Sequence, residues 1–199
     1  MEKNKEKVLV VSTDTVKDML IESGLLIKKA VDLIEVIREN CYFIDRGYAE
    51  QCVDIKQIIP YVIIKNDNNI FLLRRLNRQT EKRLHGKLSI GIGGHINIDS
   101  EKHKDIIAHG LLKELNEEVQ VEHIESIDFV GVINDDSTDV GVHHLGLMYV
   151  LSTSSDVTVL EKDKMSGEWV NINRAVALNE MMETWSQISL KYLMTASHE

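Results

Sequence analysis

The stretch that decides the fold is GGHINIDSEKHKDIIAHGLLKELNEEV, running from Gly93 to Val119. It opens on two glycines that follow the apolar run Leu88-Ser-Ile-Gly-Ile92, and it closes on a periodic segment predicted to be helical from about His103 to Val119. At about 100° per residue, Ala108, Leu111, Leu112, Leu115 and Val119 share one face of that helix. Glu114, Glu117 and Glu118 cluster on the flank beside it, so their carboxylates can converge.

Three acidic side chains held close resist ionisation, and a divalent cation between them removes the penalty. Mg²⁺ suits such a set, because it takes oxygen ligands, keeps several waters and bridges carboxylates to substrate phosphates; Zn²⁺ prefers nitrogen or sulfur. A Glu-x-x-Glu-Glu run taken alone is more often a solvated helix face. The adjoining Gly93-Gly94 shifts the balance, since glycines ending a strand allow close backbone approach and leave a carbonyl free for a metal.

Outward from this segment, Ile58 to Lys65 and Ile70 to Arg75 read as a β-hairpin around the turn Asn66-Asp-Asn-Asn69. Leu88 to Ile92, Ile127 to Ile133, Gly141 to Ser152 and Gly167 to Ile172 read as further strands, and a helix is expected from Asn173, as N-cap, to about Thr195. Before the hairpin, Val8 to Val11 reads as a short strand and Thr13 to Asn40 as helix, with Cys41 to Gln57 a connector. The expected organisation is an N-terminal α-rich module and connector over residues 1–57, followed by an α+β domain over residues 58–199, a mixed sheet between layers of helices.

The segment resembles the Nudix box, whose pattern is Gly, five residues, Glu, seven residues, then Arg-Glu-aliphatic-x-Glu-Glu-x-Gly-aliphatic. Lys113 to Val121 is similar to its second half. The resemblance implies that Gly94 is the opening glycine, that Glu114, Glu117 and Glu118 are the metal-binding and catalytic carboxylates, and that the carbonyl of Gly93 is a further metal ligand. Asp105 takes the place of the upstream Glu, with Lys113 in place of the Arg that would pair with it, and these two with Gly94 support the box. Gln120 replaces the glycine after the helix, which implies a different helix ending. Ten residues rather than five separate Gly94 from Asp105, and His95 and His103 lie in the lengthened loop, where histidines are more often solvated than ligating.

By the same resemblance the chain is a Nudix-fold hydrolase of the MutT-like kind. It cleaves a pyrophosphate bond in a nucleoside diphosphate linked to another group, using Mg²⁺ (or Mn²⁺) and metal-activated water. Its partner is then a small, nucleotide-derived phosphorylated substrate. Arg74, Arg75, Arg78, Lys82, Arg83 and Lys87 form a basic stretch placed to meet phosphates, with Arg74, Arg83 and Lys87 the candidates for substrate contact, although Arg74 and Arg75 on one strand face opposite sides. Asp135, Asp136 and Asp139 occupy a loop where a polar turn is the commoner explanation than a further carboxylate ligand, and only one of His143 and His144 faces inward on a strand. Trp169 is expected to serve packing. A sensor on the same fold that binds without cleaving is the alternative, and retention of all three glutamates argues against it. An isomerase would call for Cys and Glu motifs that are not found.

Composition limits the remaining classes. With 23 Lys and Arg against 32 Asp and Glu the net charge is −9, which argues against broad nucleic-acid or membrane binding. No apolar run approaches the roughly 20 residues of a membrane span, and no signal-type stretch follows Met1, so a cytoplasmic protein is expected. Cys41 and Cys52 are too few for a disulfide framework and are expected as reduced thiols. A homodimer fits an acidic enzyme of this kind, with the N-terminal helices packed on the core or on a second copy.

Overall fold

The computed structural model describes residues 6–76 and 86–196. In chain order its elements are β1 (Lys7–Ser12), α1 (Thr13–Val16), β2 (Gly24–Leu26), α2 (Ala30–Asn40), β3 (Tyr42–Asp45), α3 (Arg46–Ala49), β4 (Ile55–Asn66), β5 (Asn69–Arg75), β6 (Leu88–Ser89), β7 (Gly91–Gly93), α4 (Ile106–Glu118), β8 (Val119–Val121), β9 (Ser126–Asn134), β10 (His144–Ser152), β11 (Val157–Val159), β12 (Met165–Asn171), α5 (Ile172–Ala177) and α6 (Thr184–Ala196). The fold is α+β, a mixed sheet with helices, as the order of elements in the sequence predicts. The chain forms two compact units, one of Met1–Tyr61, Gly93–Lys113 and Val130–Met148, the other of Val62–Ile92, Glu114–Phe129 and Tyr149–Glu199.

In the first unit β1 is antiparallel to β3 along one side, from Lys7↔Asp45 to Val10↔Tyr42, and to the start of β4 along the other, from Val10↔Gln57 to Ser12↔Ile55. Val8 to Val11 are all fully buried, so both faces of β1 are covered, and a strand covered on both faces reads as a continuous apolar run. Val8, Val10, Ala49 and Ile55 form a core against which Ile44 and Cys52 pack. The helix expected over Thr13–Asn40 is a correction: it exists as α1 and α2 only, and between them Gly24–Leu26 turns out to the sheet as β2, pairing with β9. Gly24 has φ +115°, a left-handed backbone that interrupts any helix, and Leu25 and Leu26 fit a half-buried strand as readily as a helix face. Cys41 and Cys52 are free thiols, and burial pushes the Cys41 thiol above its usual range.

In the second unit β5 lies between β12 and β4, antiparallel to both, and also pairs with β6. The hairpin turns at Asp67, whose φ of 49° is the left-handed conformation that Asp and Asn tolerate. Phe71 opposes Trp169 across β5 and β12 with ring centroids 5.4 Å apart, edge to face, so Trp169 packs as expected. The expected C-terminal helix is two, α5 and α6, and its cap is Asn171 rather than Asn173: the Asn171 side chain accepts the Asn173 N–H at 3.0 Å. On α6 the buried Ser186 hydroxyl accepts the Ile90 N–H at 3.0 Å. Among the described residues no helix is long and apolar enough to cross a membrane.

Candidate functional site

Helix α4 carries the glutamates on its final turn and a half, and its N-terminal half explains how it is set. Asp105 caps it, accepting the Ala108 N–H at 2.9 Å, and also meets Arg38 at 3.3 Å. Lys113 pairs with Asp99 at 2.8 Å, so the cation of the box finds a carboxylate inside the lengthened loop, and this pairing holds the Asp99 carboxyl below its usual range. Gly110 allows the helix to lie directly on the loop, since a Cβ there would stand 2.6 Å from Ile96 Cγ1. Gly93 ends β7 against β4, where a Cβ would stand 2.6 Å from the Pro60 carbonyl oxygen. Gly94 follows outside any strand, half-buried.

The C-terminal half belongs to the second unit. Gln120 needs no left-handed backbone because the chain leaves α4 straight into β8, which is antiparallel to β11 through Val119↔Val159. The Glu118 carbonyl accepts the Leu160 N–H at 2.8 Å, fixing the helix end. Glu118 is half-buried, Glu114 is half-buried and Glu117 is exposed. Burial pushes the Glu118 carboxyl up to about 7, with Glu161 and Glu183 adding to the rise and Arg75 and Lys164 opposing it. Arg75 itself is tied to Glu183 at 2.6 Å in a pair largely withdrawn from water, and Lys164 is paired with Glu161.

The arrangement is a half-buried carboxylate that titrates near neutrality within the field of two cations and two further carboxylates. Among the described residues no three His, Cys, Asp or Glu side chains are drawn together as a finished metal cage. A half-buried Glu118 whose ionisation is held back is the oxygen donor a cation would stabilise, so the residues fit the metal.

Of the basic stretch, Arg74 and Arg75 do face opposite ways. Arg75 shares the side of Glu118, whereas Arg74, opposed to Leu88 and Ser166, lines a cavity of about 250 Å³ with Leu72, Gly167 and Glu168. Lys87 is exposed, and its carbonyl accepts the Arg75 N–H at 3.1 Å. Arg78, Lys82 and Arg83 lie outside the described residues. In the first unit Asp136 meets the buried Lys56 at 2.5 Å, and Asp135 accepts the Ser137 N–H at 3.1 Å, which makes this loop a hydrogen-bonded turn; Asp139 is exposed. Sequence reasoning missed Glu161, Lys164 and Glu183, and could not link Arg75 to Glu118, because their electrostatic coupling to Glu118 depends on chain segments more than forty residues apart.

The α+β fold thus carries one helix, α4, with three glutamates at its C-terminal end. No protein-family model matches the chain. It is similar to Protein YmaB of Bacillus subtilis (strain 168), with 33% identity over 205 residues covering 97% of this chain and all of that one. It is also similar to the crystal structure of Tm1382, a candidate Nudix hydrolase, with a TM-score of 0.84, 29% identity, 96% of this chain covered and 100% of that one. A more distant likeness, of fold alone, is the Nudix domain of Shewanella oneidensis NrtR in complex with ADP-ribose, with a TM-score of 0.54, 13% identity, and 72% of this chain and 89% of that one covered. The chain belongs to one family with YmaB and has the fold of the Nudix hydrolases.

Proposed function

We propose that the chain hydrolyses the pyrophosphate bond of a nucleoside diphosphate linked to another group, with Glu114, Glu117 and Glu118 as its metal-binding and catalytic residues. The observation that carries this reading is Glu118, half-buried and titrating near 7 beside Arg75 and Lys164. Mg²⁺ bound by these glutamates would polarise a phosphoryl oxygen and lower the pKa of an attacking water. A carboxylate with a proton affinity near neutrality is matched to receiving a proton from that water at the pH of the cell. Lys164 and Arg75 supply positive charge where the negative charge of a diphosphate would come, and the Glu183 ion pair holds the Arg75 guanidinium in one orientation. Lys87, exposed beside Arg75, is placed to meet an outer phosphate. The ADP-ribose bound by the NrtR domain is a compound of the proposed class on the same fold.

The test is release of phosphorylated products from a panel of nucleoside diphosphate derivatives, with and without Mg²⁺, for the parent, Glu117→Gln and Glu118→Gln. Metal-dependent turnover lost in both variants is expected. Tight binding of a nucleotide with no turnover, unchanged in both variants, would overturn the proposal in favour of a sensor.

A further inference from the structure

The first unit leaves one sheet edge uncovered. β2 pairs with β9 on one side, from Gly24↔Asn134 to Leu26↔Val132, and among the described residues no strand pairs with its other side. A Cβ built on Gly24 would meet nothing within 4 Å. Beside the strand Ile21, Ile27 and Val31 are exposed by 69%, 48% and 69%. An edge strand presents unpaired N–H and C=O groups, which proteins usually guard with a charge or a proline on the strand itself. Gly24-Leu25-Leu26 carries neither.

The strand and its flanks are complementary to themselves. When two copies pair antiparallel about a two-fold axis normal to the sheet, each side chain keeps its face in both copies, and directly opposed residues share a face. The pairing is then centred on one residue that faces its own counterpart. Centred on Leu25, it sets Gly24 opposite Leu26, Ser23 opposite Ile27 and Glu22 opposite Lys28, each twice. Centred on Gly24 or on Leu26, it sets Glu22 against Leu26 or Ala30 and brings no opposite charges together. Glu22 and Lys28 are exposed, and neither side chain has an ion-pair partner among the described residues.

We propose that two copies of the chain join antiparallel through β2, with Leu25 at the two-fold axis and Glu22 of each copy paired with Lys28 of the other. The contact is isologous, so each ion pair forms twice. Ile27 then lies against Ser23 and, diagonally, against Leu25 of the second copy, which withdraws it from water. Ile21 and Val31, before and after the strand, extend the apolar surface. The open backbone edge supplies the hydrogen bonds, and the charges choose the register.

The test is analytical sedimentation of the full chain at low ionic strength, where exposed ion pairs are least screened. The parent is expected as a dimer in concentration-dependent exchange with monomer. Glu22→Lys and Lys28→Glu should each weaken it about tenfold or more, because both ends of the contact then oppose like charges, and the double variant should return close to the parent. Leu25→Cys should give a disulfide dimer on oxidation, located by peptide mapping, since the two positions face each other. Leu26→Cys should not, because its counterpart lies two residues out of register, beyond the roughly 7 Å that a disulfide spans. A monomer at every concentration, a dimer unmoved by both single reversals, or a double variant no stronger than the singles would overturn the proposal, whatever the turnover assay gives.

Discussion

Replacing Glu118 by glutamine should make the metal-free protein more stable at alkaline pH while removing its activity. The carboxyl sits near 7 in the folded chain against an ordinary value of 4.5, chiefly because burial penalises its charge. The folded state therefore binds the proton more tightly than the unfolded state does. Between pH 4.5 and 7 the carboxyl is ionised in the unfolded chain but still largely protonated in the folded one, so folding must take up a proton and this group's contribution to stability declines as pH rises through that window. The loss is complete above the folded value, and at about 1.4 kcal/mol per tenfold change in proton affinity it amounts to about 3 kcal/mol. Glutamine keeps the shape and has no charge to bury. Urea unfolding in the presence of a chelator should show parent and Glu118→Gln close to one another near pH 4.5, and the variant about 3 kcal/mol more stable near pH 8. Adding Mg²⁺ at pH 8 should raise the parent and leave the variant where it was. Parallel pH profiles for the two proteins would refute the placement of Glu118 in a desolvated site.

Gly110→Ala should lower stability by about 1–3 kcal/mol in spite of alanine's better helix propensity, because the added methyl overpacks Ile96, and this cost should shrink in an Ile96→Ala background, which lacks both Cγ atoms it meets. Urea midpoints in the two backgrounds check this. Asp105→Ala should cost about 1 kcal/mol through loss of the cap on α4, whereas Asp99→Asn, which removes an exposed partner of Lys113, should change the midpoint by less than about half of that.

Much of the site is legible in the chain because a helix is a local object. The 3.6-residue period alone sets Glu114 and Glu118 one turn apart with Glu117 beside them, and Gly93 announces a close approach that the fold then makes. The N-terminal segment is less legible for an equally physical reason: Leu25 and Leu26 satisfy a helical stripe, and only pairing with β9 draws them into a strand. Gln120 looked like a flaw in the helix ending until β11 supplied an antiparallel partner for β8, an extended exit that asks nothing of a glycine. Asn171 and Asn173 carry the same capping chemistry, and the end of β12 decides which of them caps.

The α+β order of elements and the helical spacing of Glu114, Glu117 and Glu118 can be read from the chain alone, since each rests on patterns local in sequence. Only the tertiary structure decided that Arg75 rather than Arg74 stands with Glu118, that Glu183 steadies it, and that His95 meets His144. Those outcomes depend on strand register and on burial. Both are set by contacts between residues far apart in the chain, and the proton affinity of a carboxyl follows from how much water those contacts exclude.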